Sequence, residues 1–236
     1  MADNGSLPSE INLDKLFPKE THFDSAGKLR RNGFDVVRDG TSNERVTVFG
    51  HRSVPGYLFK KFLTNVSYSQ EKQLGSYERR VRGGRALKVH LERFAITGIV
   101  VPRKWLCDLP SRFNVHKKPS QIIVVEKCHL LDHARAKQLY RDISNDTLKD
   151  LCTIFFTFKR VDFSTRNMPF TTEGKIAFID TGYMSPITED LAFRRENYKK
   201  NIEKLLEERQ QRFAASLWDE LVERRDLRDD ASRQLG

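Results

Sequence analysis

The chain has 236 residues, 38% of them hydrophobic and 31% charged, enough for one large core or two small lobes under a polar surface. No apolar run approaches the length of a membrane span, and the opening Met-Ala-Asp-Asn-Gly-Ser has neither the basic nor the apolar region of a cleaved signal, so a cytoplasmic location is expected. Three widely spaced cysteines (Cys107, Cys128, Cys152) argue against a disulfide scaffold or zinc knuckle, while a net charge of +10 favours an anionic partner without choosing its kind.

Residues 1–27 mix Asn, Ser, Pro, Glu and Lys with scattered Ile11, Leu13, Leu16 and Phe17, and read as a loosely ordered arm. From Gly33 the pattern becomes three short strands in a meander: Phe34–Val37, Arg45–Phe49 and Gly56–Phe62, with Asp39–Glu44 as the first turn. A helical pattern then runs from about Gln70 to Phe94 through Tyr77, Val81, Leu87 and Leu91, with Gly83-Gly84 as a weak point. The same helix is strongly basic at Arg79, Arg80, Arg82, Arg85, Lys88 and Arg93, which reads first as a solvated face.

Ile99–Pro102 and Trp105-Leu106 suggest a strand leading into a turn, and Gln121–Cys128 a buried strand that becomes a connector. His129 and His133 share a helix face, but no third ligand follows at metal spacing, so both are read as surface residues. Two helices are expected over Asp132–Ile143 and Thr147–Phe158, the second capped by Asn145 or Asp146 and carrying Leu148, Leu151, Cys152, Phe155 and Phe158 as a core stripe.

The stretch that follows organises the rest. Asp162 and Asn167 stand five apart, a polar turn with Glu173-Gly174 comes next, Ile176–Ile179 reads as a short buried strand, and Asp180-Thr-Gly182 closes it. Beyond Tyr183–Ile187, Thr188-Glu-Asp190 makes a helix start, and Leu191, Tyr198, Ile202, Leu205, Leu206, Phe213, Leu217 and Leu221 mark an apolar stripe that closes the core or meets a partner helix.

In protein kinases the catalytic loop reads D-x-x-x-x-N and the next strand ends in a metal-binding Asp followed by one residue and Gly. Asp162-Phe-Ser-Thr-Arg-Asn167 and Asp180-Thr-Gly182 reproduce that order, and the chain resembles the protein kinase-like superfamily. The resemblance implies that Asp162 orients or deprotonates an acceptor hydroxyl, and that Asn167 and Asp180 hold Mg²⁺. Lys60, preferred to Lys61, would pair with the ATP phosphates, and Glu78, with Glu92 as its competitor, would pair with that lysine. Gly40 would belong to the phosphate-covering loop. Val125 would guard the adenine pocket, and Glu126 and Cys128 would offer backbone groups to adenine in the hinge. Arg160-Val161 replaces the family's His-Arg, which implies constitutive activity. Thr181 replaces its Phe, a form closer to small-molecule kinases, and the phosphate loop has only Gly40.

The fold expected on this resemblance is α+β and two-lobed: an arm over 1–27, a small, mainly antiparallel N-lobe with one long helix over 28–125, and a hinge with a truncated helical C-lobe over 126–236. The expected function is transfer of the γ-phosphate of ATP to a protein Ser or Thr, in a compact kinase of the bacterial or effector type. Such an effector would reach a host cytosol without a cleaved signal. The alternatives are a small-molecule kinase of the same superfamily, or a basic binding module or pseudokinase without turnover. An acidic partner on the basic helix 79–93 is expected ahead of nucleic acid or a membrane.

Overall fold

The computed structural model describes residues 6–19, 23–40, 46–63, 69–114, 120–159, 164–182, 185–186 and 206–234. The chain divides into two units, Met1–Arg82 with Pro102–Lys127, and Gly83–Val101 with Cys128–Gly236. The first boundary falls at the Gly83-Gly84 weak point, yet the helix runs through it unbroken.

The first unit is built on the expected meander: β1 (Phe34–Arg38), β2 (Thr47–His51) and β3 (Tyr57–Lys61) pair antiparallel in sequence. β5 (Lys104–Asp108) and β6 (Gln121–Glu126) extend the sheet in the order β1-β2-β3-β6-β5. Alternation along the strands gives the sheet two apolar faces. On one face, Phe62, Ile123 and Val125 meet Tyr77 and Val81 of α3 (Gln70–Arg93). There the Phe62 N–H donates to the Tyr77 hydroxyl at 2.8 Å, which satisfies a buried phenol.

The other face is aromatic, with Phe34, Phe49, Phe59, Ile122 and Val124, and the N-terminal segment covers it. The expectation of a loosely ordered arm is corrected here: Ile11, Leu16, Phe17 and Phe23 are buried, and Phe17 stacks on Phe34 with centroids 5.2 Å apart. These apolar residues follow no single helical or strand period; what buries them is the aromatic face of the sheet. α1 (Leu13–Leu16) is capped by Asn12, and α2 (Ala26–Arg31), capped by Ser25, runs across the expected boundary at residue 28.

Arg112, in the 3₁₀ turn Ser111–Phe113, clamps this segment. Its guanidinium donates to the Phe17 carbonyl at 2.6 and 3.2 Å, to the Asp14 carbonyl at 3.2 Å and to the Asp14 carboxylate at 2.9 Å. Arg112→Ala is expected to lower stability by on the order of 1–3 kcal/mol, as for hydrogen bonds to a charged group, and to open the segment before Phe17 to protease. Arg112→Lys should recover little, because an ammonium lacks the planar fork. Cleavage kinetics equal to wild type in Arg112→Ala would remove the clamp.

The second unit is mainly helical. α4 (His133–Arg141) is capped by Asp132 and α5 (Asn145–Thr157) by Ser144, whose hydroxyl accepts from the Thr147 N–H. Ser144 thus takes the role expected of Asn145 or Asp146: its extended backbone places it one residue before the helix begins. Leu148, Leu151, Cys152, Phe155 and Phe158 are buried as expected. α6 (Glu208–Gln234) lays Phe213, Ala214, Leu217 and Trp218 on this core, with Trp218 and Phe156 ring centroids 6.0 Å apart. It therefore closes the core of its own unit; the expected helix start at Thr188 and the stripe from Leu191 to Leu205 lie outside the described residues. Short ladders and isolated bridges complete the unit among the described residues. β4 (Ile99–Val100) runs parallel to β8 (Ile176–Ala177), β7 (Phe158–Lys159) pairs with β9 (Ser185–Pro186), and Phe170 bridges to Ile176. No helix of the described residues is long and apolar enough to cross a membrane.

Candidate active site

The loop from Ser164 to Gly182 is built by hydrogen bonds that alternate along one strand. The Thr171 N–H meets the Lys175 carbonyl at 2.7 Å, and Gly174 turns the chain at φ +77°, a conformation that favours glycine. The strand that emerges reaches β4 on one side, with Ile176 N–H to Gly98 O at 3.0 Å and Phe178 N–H to Val100 O at 2.9 Å. Its intervening residues turn to the loop behind, with Ala177 N–H to Pro169 O at 2.8 Å and Ile179 N–H to Asn167 O at 3.0 Å. Asn167 is therefore pinned beside Ile179, the residue before Asp180.

Each partner is further set by local turns. The Ser164 carbonyl accepts from the N–H groups of Asn167 and Met168 at 2.8 and 3.1 Å, and the Asp180 carboxylate accepts from the Gly182 N–H at 3.2 Å. Thr181, standing where the family has Phe, is fully buried. Asn167 and Asp180 are half-buried and offer an amide and a carboxylate oxygen, hard donors of the kind Mg²⁺ takes. The donor chemistry fits that cation.

Asp162 lies outside the described residues. The segments around it are paired: Lys159, three residues before it, is opposite Ser185, five residues after Asp180.

In the first unit, β3 separates its two lysines. Lys60 is opposite Ile123 and so lies on the α3 face, with Val125 one pair further along. Lys61 lies on the arm face, 5% exposed, donating to the Ser120 hydroxyl at 3.0 Å and the Gln121 carbonyl at 3.1 Å, with its Nζ 5.4 Å from the centre of the Phe23 ring. Burial pushes its ammonium down to about 8. The sequence offered Lys61 only as the alternative to Lys60, without a signal for its burial.

Glu78 pairs along its own helix. Its carboxylate accepts from Arg82, one turn on, at 3.1 Å, and its competitor Glu92 stands 4.0 Å from Lys88. Both are i,i+4 pairs, which a long helix rich in Arg and Lys supplies locally. The Gly40 N–H donates to the Thr47 hydroxyl at 3.1 Å; most of its turn lies outside the described residues. The Glu126 N–H is committed to the Arg103 carbonyl at 3.0 Å, and its carboxylate accepts from the Arg103 N–H at 2.9 Å. Cys128 begins the second unit.

No family model matches the chain, and no curated protein matches it. Among solved structures it is similar to the CAK complex from Chaetomium thermophilum bound to ATP-gamma-S, at 14% identity and TM-score 0.37 over 70% of this chain and 51% of that one. It is also similar to WbdD, at 12% identity and TM-score 0.45 over 79% of this chain and 45% of that one. A second structure, of the bifunctional kinase-methyltransferase WbdD, aligns at 12% identity and TM-score 0.41 over 87% and 46%. The chain spans about half the length of each, and likenesses this faint assign no residue a role.

Proposed function

We propose that this protein is an ATP- and Mg²⁺-dependent phosphotransferase that moves the γ-phosphate to a hydroxyl, with a protein Ser or Thr as the acceptor. The observation that supports the reading is the backbone hydrogen bond from Ile179 to Asn167, which brings Asn167 beside the residue before Asp180 in a chain with the order D-x-x-x-x-N … D-x-G. Bound Mg²⁺ would neutralise charge on the phosphates. Asn167 and Asp180 would hold it, Asp162 would align the hydroxyl and accept its proton, and Lys60 would meet the phosphates. Val125, Glu126 and Cys128 would line the adenine side. The basic stretch of α3, residues 79–93, suits an acceptor with acidic neighbours.

One observation favours a second reading. Glu78 accepts from Arg82 on its own helix, an engagement that suits a fold that binds nucleotide without turnover. Both readings require MgATP binding, and only the first requires transfer.

Binding is tested by thermal unfolding. At about 100 times its dissociation constant, MgATP should add about 2.7 kcal/mol to the wild type. Asp180→Ala should lose that gain while the apo protein stays folded. An equal gain in the variant would mean that Asp180 does not hold the metal.

A further inference from the structure

We infer that Tyr140 is a positioning residue for the loop that carries Asn167: its hydroxyl fixes the Met168 carbonyl and thereby the Met168–Pro169 peptide, one residue beyond Asn167. Tyr140 is fully buried near the end of α4, its ring T-shaped against Phe170 at 5.0 Å, and its hydroxyl donates to the Met168 carbonyl at 2.6 Å. Nothing in the sequence marks this residue; it reads as one more apolar position of a helix.

The contact adds a hold to this loop from a third direction. Asn167 is held from behind by the Ser164 turn and from the side by the Ile179 N–H, but both bonds run through its own backbone N–H and carbonyl. The next peptide, Met168–Pro169, is held by Tyr140 through its carbonyl. Met168 is itself fully buried, so water cannot replace the lost donor, and a buried carbonyl left unpaired drives the peptide to rotate. Burial also raises the phenol's pKa, which keeps it protonated, and a donor, at any working pH.

What this does for the protein rests on the phosphotransferase reading. Mg²⁺ demands near-ideal octahedral geometry, so a small displacement of the Asn167 oxygen should weaken it, and loss of such an outer contact costs about 10–100-fold in metal affinity.

The test uses the full chain carrying Tyr140→Phe, which keeps the ring and its contact with Phe170. In the metal-free protein, hydrogen exchange at the Ile179 amide should speed up about tenfold, since its acceptor is on the released loop. With ATP held saturating, the MgCl₂ midpoint of the thermal shift should rise about tenfold or more, while ATP binding in EDTA stays as in wild type. Phe156→Leu, a cut in the same core away from the loop, should lower the melting temperature without moving the midpoint. A Tyr140→Phe protein with a lower melting temperature but unchanged midpoint and Ile179 exchange would reduce Tyr140 to packing and overturn the inference. A wild type without any Mg²⁺ response would sink the phosphotransferase reading instead, and Ile179 exchange would then decide the positioning role alone.

Discussion

Asp162→Asn should retain the MgATP thermal shift and lose phosphotransfer by about 10² to 10⁴-fold, the range for a positioned general base. A carboxylate that accepts the hydroxyl proton acts mainly in the transition state, so kcat should fall far more than nucleotide affinity. Asn nearly preserves shape but cannot take the proton, which separates chemistry from folding. The measurement is transfer of labelled γ-phosphate, to a Ser/Thr protein substrate or in autophosphorylation, beside the thermal shift. A non-catalytic nucleotide binder predicts no transfer in either protein, and a basic module without a nucleotide site predicts no thermal shift. Transfer as fast as wild type in Asp162→Asn would mean that the catalytic loop is elsewhere in the chain.

The second large effect is on stability. Lys61 is buried with a hydroxyl, a carbonyl and a ring face for partners, none of them charged, and its pKa falls from 10.5 to about 8. Below pH 8 the ammonium is charged in both folded and unfolded chains, and the folded state bears the whole cost of desolvating it. Between pH 8 and 10.5 the unfolded chain binds more protons than the folded one, so Lys61 makes stability rise with pH. Other groups oppose this. Cys107, raised by burial from 9.0 to about 11, and the buried Tyr77 and Tyr140, raised above the ordinary phenol value, ionise first in the unfolded chain and make stability fall.

Comparison with the Lys61→Met variant cancels those opposing groups. Whatever stability the variant has relative to wild type at about pH 7.5 should decline by about 3 kcal/mol as pH rises to about 10.5, read from urea unfolding at each pH. A difference constant over that range would show that Lys61 titrates normally and that the arm does not seal it from water.

The readable part of the fold is the part with a local period. β1 to β3 came from alternation and turns, α3 and α5 from three- and four-residue spacing, and β6 from an apolar run too short for a helix; each lies within a residue or two of its expected bounds. Gly174 was legible as a turn because positive φ leaves few residue choices. At the candidate site, the order of the two motifs and the resemblance it carries implied that Asn167 and Asp180 belong together.

Other features depended on partners distant in sequence. Phe17 and Phe23 have no period, so only the aromatic face of the sheet shows why they are buried. Glu78 had a lysine eighteen residues before it and an arginine four residues after it; the helix brings Arg82 within 3.1 Å. Alternation said that Lys60 and Lys61 face opposite ways, but the sealing of Lys61 under Phe23 required the arm to be in place. Tyr140 reached Met168 across 28 residues. By itself the sequence determined the elements and the order of the candidate site, because those follow from neighbours along the chain. The tertiary structure decided which charges pair, which lysine is buried and what holds the Asn167 loop, because a side chain's partner is set by whatever the fold brings within a few ångströms.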